Sequence, residues 1–576
     1  MNNNNNNLNF SWIQLCSNLD KIKNETNILI NRSKEARNII MNLNSTKKII
    51  GILSDDTFEF NSFHSLSKLL RIVCPNSEVR RFWDYTDNIL NDYITEFNCD
   101  ENLFNKLSQL PTADLDTEDK LFLSNILKSF GKYGLTSKNK NKNKINQVQT
   151  ILKKICDCEK NIIAYIQQDQ PYHKEIYNLV NLRGKYAKLL NYDNYCQLKS
   201  DVDANDLKTT LKNLIANSND SCHDELVTIC KQLKRNKVST KDILDFKAKC
   251  NNEFTVSICN SIEIMFSLIH DIFDLKFALL ENTQTWHPSV KIYSIKYCNE
   301  IYGYIYIDLL ARQDKVPYSI LPIIINEALI YPHDCGVFKI PVMCLVGYLK
   351  NNITYIDVIN IFKALGQIVH TVFHRSKYEI NIEQNVVTLM PQLFEYLISD
   401  VDIIKKIFGK KYEKVYNASI IDRTFKLKYK CVNTLYDYLV HSINQVENVP
   451  FIYEKYDEIL KMVLGKSYDR FIVINECLPV DTVVELVHNG GVCYSDITNN
   501  IMAYNLYSIL KDKNLFHKFS NDILRNTSQS FGVVVSQFII NEQKNKLPTV
   551  NKYKSAKNEP ENIVSENTNY FTENEN

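Results

Sequence analysis

Thirteen glycines and thirteen prolines among 576 residues leave this chain few places to break a helix or close a tight hairpin. Those two residues punctuate backbone direction. Where they are scarce and apolar side chains recur three and four apart, long amphipathic helices follow. The length exceeds what one ordinary core supports, so the helices must build either several packed lobes or one large helical superfold. Sixty-eight Lys plus Arg against 66 Asp plus Glu leave a net charge of +2, which gives no bulk attraction to nucleic acid or to an anionic membrane.

Sixteen cysteines occur without a CxxC pair. Cys156 and Cys158 make only a CxC, and the others are scattered through apolar stretches, a pattern of reduced, buried thiols and not of a disulfide framework or zinc ribbon. The most apolar long stretch, Ser257 to Leu280, carries Asn260, Glu263, His270, Asp271, Asp274 and Lys276. It reads as an amphipathic core helix and not as a membrane span.

Residues 1–135 open on an Asn homopolymer, Asn2 to Asn7, and continue with amphipathic segments such as Phe63 to Val73 and Leu121 to Phe130. They are expected to form an amino-terminal helical region. Residues 136–146 include an alternation of Lys and Asn from Lys138 to Lys144 with no apolar or aromatic residue, expected as a solvated linker or insertion and only secondarily as an anion contact. Residues 147–540 are expected as one large helical domain with a small sheet at about 285–349. There Val290 to Ile295 and Gly303 to Asp308 are rich in Ile and Tyr and bounded by turn signals. The polar tail, 541–576, is expected to be disordered.

Thr354 followed by Asp357 is a capping-box start for a helix. Along that helix Lys363, Gln367, His370 and His374 recur at i, i+4, i+7 and i+11 and form one polar stripe. The segment Lys363-Ala364-Leu365-Gly366-Gln367 resembles the His-Glu-x-Gly-His stretch of a zinc metallopeptidase helix with its ligands and base replaced.

The surrounding sequence carries a family resemblance. Gly303-Tyr304-Ile305-Tyr306-Ile307-Asp308, with Arg312, Asp314 and Lys315 after it, resembles a strand and turn of mitochondrial intermediate peptidase, a branch of the M3, thimet-oligopeptidase-like, metallopeptidases. Ile340-Pro341-Val342 is similar to the strand before the family's metal helix, and Phe394-Glu395-Tyr396-Leu397-Ile398-Ser399-Asp400 to the helix after it. Leu182-Arg183-Gly184-Lys185-Tyr186-Ala187-Lys188-Leu189-Leu190 resembles an upstream helix. The resemblance implies a mostly α-helical, two-lobed ellipsoid with a deep central channel and a small sheet beside the metal helix.

It also implies which positions have lost their chemistry. The two ligand histidines fall at Lys363 and Gln367, the general base at Ala364, and the carboxylate ligand at Thr388, seven residues before Glu395. A protonated lysine, an amide and a hydroxyl are poor substitutes for two imidazoles and a carboxylate, and loss of a general base alone typically costs about 10²–10⁴ in rate. The family's oxyanion donors fall in Val484 to Asp496, where Asn489 and Cys493 stand at tyrosine positions and Tyr494 remains. The expectation is a pseudopeptidase without zinc, binding peptides or pairing with an active relative. Tyr304, Tyr306, Asp308 and Tyr494 are its candidate peptide contacts, the first three through strand addition at the sheet. Two alternatives stand beside it: an active zinc endopeptidase of the mitochondrial intermediate type, using a displaced site at His370 and His374 with Glu379 or Glu383, and a purely structural helical scaffold. The family suggests a mitochondrial matrix address. The first arginine is Arg32, so the start lacks an Arg-rich transit pattern, and the cytoplasm is the alternative.

Overall fold

The computed structural model describes Leu15 and residues 17–136, 142–199, 204–281, 283–326, 329–330, 338–374, 376–378, 386–443, 445–473, 478–526 and 531–544. The helices that position the site, numbered in chain order, are α1 (Thr46–Val73), α2 (Lys142–Gln167), α3 (His173–Leu189), α4 (Ile258–Phe273), α5 (Tyr355–Phe373), α6 (Leu389–Ile398), α7 (Arg423–Ser442), α8 (Val480–Asn489), α9 (Tyr494–Lys513) and α10 (Phe531–Lys544). The largest sheet among the described residues has five strands, all between α4 and α5: β1 (Lys276–Leu279), β2 (Lys291–Tyr297), β3 (Glu300–Leu310), β4 (Leu321–Asn326) and β5 (Val342–Leu349). They pair in the order β1-β2-β3-β5-β4, with β3 and β5 parallel and the other pairs antiparallel.

Both faces of this sheet are covered. Ile305, Ile307 and Leu309 of β3, with Met343 and Leu345 of β5, pack in a core shared with α4, α5, α6, α10 and the carboxy-terminal half of α9. On the opposite face Tyr306, Ile292 and Val346 meet Leu66, Leu69, Leu70 and Val73 of α1. Burial on both sides is why β3 is a nearly continuous apolar run and only weakly alternating. The amphipathic segment Phe63 to Val73 therefore docks onto the central sheet. A further core joins α2, α3, α7, α8 and the first turns of α9. Helix α9 thus belongs to two cores, with Tyr494 and Ile497 in one and Ala503, Leu506 and Leu510 in the other.

Three boundaries differ from expectation. The apolar stretch Ser257 to Leu280 is a helix only to Phe273; Asp274 then takes a left-handed conformation (φ 58°), and the chain enters edge strand β1. The polar run ascribed to 136–146 already belongs to α2 from Lys142, whereas residues 137–141 lie outside the described residues. At the far end α10 continues to Lys544 because Glu542, 7% exposed, pairs with Lys518 at 2.9 Å; residues 545–576 lie outside the described ones. Among the described residues the one helix long and apolar enough to cross a membrane is α5, and 67% of that span is buried inside the protein. The thirteen cysteines among the described residues are free thiols.

Gly366 on α5 allows a close approach to α6 in the first core. A Cβ there would lie 2.8 Å from Cγ of Phe394 and 2.9 Å from the carbonyl oxygen of Met390, both on α6. Since one obstacle is backbone, the helices must move apart. Gly366→Ala should therefore lower stability by about 2 kcal/mol, overpacking outweighing the roughly 1 kcal/mol gained in helix propensity. A thermal unfolding midpoint at or above that of the parent would contradict this.

Candidate active site

Helix α5 starts as its sequence dictates. The Thr354 hydroxyl accepts from the Asp357 N–H at 3.3 Å, and the Asp357 carboxylate accepts from the Thr354 N–H at 2.9 Å. Further along the helix, Lys363 and Gln367 are half-buried and Ala364 is buried. The Lys363 ammonium reaches across to α6 and donates to Glu395 Oε2 at 2.6 Å, while Lys426 of α7 approaches Oε1 at 3.4 Å. Burial alone would raise the Glu395 carboxyl; Lys426 and Lys363, with Lys430 behind them, instead hold it well below the usual carboxylate range.

Thr388 is the N-cap residue of α6, and its hydroxyl accepts from the Asn499 amide of α9 at 2.8 Å. Beside it Gln392 donates to the Asp496 carbonyl at 3.0 Å and also to its carboxylate, which Lys430 pairs at 2.5 Å. Glu485 on α8 accepts from Asn433 at 3.0 Å. Burial first, and the neighbouring Asp496 charge second, push its carboxyl up to about 7. These residues come from α5 and α6 on one side and from α7, α8 and the first turns of α9 on the other, so the polar cluster occupies the seam between two apolar cores.

The glycine loop after α8 is fixed from behind. Arg183 of α3 is 2% exposed and donates to the carbonyls of Leu486 and Val487, both at 2.8 Å, and to Glu159 at 2.9 Å. Asp437 of α7 accepts from the N–H groups of Gly491 (2.8 Å) and Cys493 (3.1 Å) and from His441 Nδ1 (2.8 Å). With Nδ1 donating to a carboxylate, Nε2 of His441 is left to accept from Arg183 at 3.2 Å. Burial keeps that imidazole neutral by lowering its pKa. The clamp accounts for both glycines. A Cβ on Gly490 would fall 2.0 Å from the Arg183 guanidinium, and Gly491 has φ +81°. Cys493 is buried at the start of α9 with its thiol pushed well up by burial, whereas Asn489 is exposed.

The candidate peptide contacts need correction. Tyr304, Tyr306 and Asp308 lie on β3, an interior strand already paired on both sides, so no added strand can join there. Tyr306 and Asp308 alternate with the residues that face α5 and point to the α1 side of the sheet. Tyr306 stacks on Trp286 with ring centroids 5.2 Å apart. Asp308, 1% exposed, accepts from Trp286 Nε1 (2.8 Å), Arg312 (2.6 and 3.1 Å) and Lys315 (2.8 Å). Arg312 also donates to the Val73 carbonyl at the end of α1. The strand-and-turn motif is thus a buried ionic clamp between sheet and α1. Tyr304 is 7% exposed, and Tyr494, also 7% exposed, is packed into the second core.

His370 is 4% exposed, with its ring 4.2 Å from that of Phe531 on α10, and His374 sits edge-on to it at 6.0 Å. The polar stripe is therefore divided: its first half faces the seam, and its second half is covered by α10. Glu379 and Glu383 lie outside the described residues, and among the described ones no three His, Cys, Asp or Glu side chains are grouped to hold a metal.

Sequence reasoning used Arg183, Glu395 and Glu485 only as alignment landmarks and passed over Lys426, Lys430, Asp437 and His441. The spacing of Arg423, Lys426 and Lys430 at i, i+3 and i+7 was the available signal for a basic face on α7.

The fold defines a class. The chain superimposes on PZ peptidase A with inhibitor 2 (TM-score 0.53, 10% identity, covering 91% of this chain and 93% of that one). It also matches a putative oligoendopeptidase F from Bacillus anthracis (0.52, 12%, 92% and 96%) and an M32 carboxypeptidase from Deinococcus radiodurans (0.55, 9%, 87% and 99%). This is the helical architecture of M3 and M32 peptidases. In sequence, the model of peptidase family M3 matches residues 158–471, more than half of the chain, and the protein belongs to that family. It is 18% identical over 268 residues to a probable thimet oligopeptidase of Arabidopsis thaliana (42% of this chain, 36% of that protein). To a thimet-like oligopeptidase of Dictyostelium discoideum it is 24% identical over 185 residues (29% and 27%). The matched stretches span about a third of those relatives' lengths.

Zinc is the metal this family implies, and the side chains at the carried-over positions do not fit it. Lys363 brings a positive charge already committed to Glu395, Gln367 and Thr388 bring neutral oxygens, and Ala364 brings no base. Catalytic zinc takes three imidazole, thiolate or carboxylate ligands.

Proposed function

We propose that this chain is a catalytically inactive member of the M3 family that holds peptides at the seam between its cores without hydrolysing them. The observation that carries the reading is the Lys363 to Glu395 bridge: at the position of the first ligand histidine stands an ammonium, 2.6 Å from the carboxylate of the following helix. A cation there opposes binding of a dication by direct repulsion. Without a metal-activated water or a base at Ala364, neither nucleophile nor proton acceptor is supplied by these positions.

Two measurements test this together. Purified protein, dialysed against buffer containing zinc, should retain far less than one equivalent by elemental analysis, and a quenched fluorescent peptide should bind without being cleaved. Stoichiometric zinc with chelator-sensitive cleavage that disappears in His370→Ala would establish the displaced site instead. Absence of peptide binding altogether would favour the structural scaffold.

A further inference from the structure

We infer that the seam beside Glu395 recognises a carboxylate on a bound peptide, either the terminal α-carboxylate or an acidic side chain, through Lys426, Arg423 and Lys363. The inference rests on the reading that the chain binds peptides there. It is carried by an excess of cations on facing helices.

Arg423, Lys426 and Lys430 share one face of α7, and Lys363 projects toward the same carboxylate from α5. The fixed anions paired with this group among the described residues are Glu395 and Asp496. Glu395 serves Lys363 and Lys426, Asp496 is taken by Lys430 and Gln392, and Arg423 has no ion pair among the described residues. Four cations thus face two carboxylates. The third carboxyl at the seam, Glu485, is pushed up to about 7 by burial and offsets only part of that excess at neutral pH.

Donors remain for a ligand. An ammonium carries three N–H groups. The Lys426 side chain is 56% exposed and spends one of its groups on a 3.4 Å contact, and Lys363 is 30% exposed. Because Lys363 and Lys430 are half-buried, an incoming carboxylate is screened less here than on an open surface. The seam therefore selects for negative charge in the region where the family's chemistry would act on a neutral peptide bond.

The test uses the full chain and a fluorescein-labelled nonapeptide with uncharged side chains in three forms: free acid, carboxy-terminal amide, and the amide with one internal glutamate. Fluorescence anisotropy should show the free acid, the glutamate form or both binding about tenfold more tightly than the plain amide, equivalent to about 1.4 kcal/mol. Which form shows it identifies the carboxylate. The difference should collapse in Lys426→Gln and in Arg423→Gln, both exposed positions, and shrink at 0.5 M salt as charge pairing does. Equal binding of all three peptides would overturn the inference and leave peptide binding intact. A preference that persists in both variants would overturn it by placing recognition elsewhere. If no peptide binds, the functional reading and the inference fall together.

Discussion

The quadruple variant Lys363→His, Ala364→Glu, Gln367→His and Thr388→Glu should take up one zinc ion per chain. It places two imidazoles one turn apart on α5 and a carboxylate at the start of α6, the donor set of a two-His, one-Glu site. The bridge from Lys363 to Glu395 already shows that this part of α5 looks onto α6. Removing the lysine also releases Glu395 to accept from the second nitrogen of a new imidazole, an outer hydrogen bond that orients such ligands. With free zinc at a hundred times its dissociation constant, the folded state should gain about 2.7 kcal/mol, visible as a zinc-dependent rise in unfolding temperature. Cleavage should stay undetectable or slow. Asn489 and Cys493 stand at the expected tyrosine positions, and each missing oxyanion donor is worth about 10²–10³ in rate. A folded variant that binds no zinc would show that Thr388 does not face Lys363 and Gln367.

Acidification from pH 7 to 5 should destabilise the protein through His370 and His374. Burial lowers His370 to about 3 and His374 to about 4, with no carboxylate among the described residues offsetting it. An unfolded histidine titrates near 6.5. Below that pH the unfolded chain takes up protons that the native state refuses, so this stability is complete above about pH 6.5 and is lost as pH falls toward the folded values. At pH 5 the His370 contribution is about 2 kcal/mol, and half-buried His374 adds less. Glu485 works in the opposite sense, since a carboxyl raised to about 7 favours the folded state as pH falls. The informative measurement is therefore the difference between the parent and His370→Leu/His374→Leu. The double variant should lose less stability between pH 7 and 5, or even gain some, and identical pH profiles would refute the assignment.

Local signals in the sequence were read well. The Thr354 to Asp357 cap, the helix it begins and the Ile- and Tyr-rich strands are set by neighbours within four residues, and the structure has them where those patterns put them. What the sequence left hidden depends on partners far along the chain. Tyr306 and Asp308 were expected on a strand open to peptide addition, but docking of α1, more than two hundred residues upstream, covers that face. Arg183 looked like one more residue of a helical motif, and only the fold brings it to Leu486 and Val487. The Lys363 position was legible as a missing ligand. That its ammonium is held by Glu395 required knowing the spacing of α5 and α6.

Helix α9 acts as a beam between the two halves. Its twenty residues, about 30 Å at 1.5 Å per residue, contain neither glycine nor proline, and opposite ends are embedded in different cores. Sharp helix bends almost always require proline, glycine or a local break in the hydrogen-bond ladder. A hinge that opened the seam widely would have to flex this rod or pull one end from its socket. The seam is therefore built to breathe by small sliding of packed helices, not by a wide hinge opening.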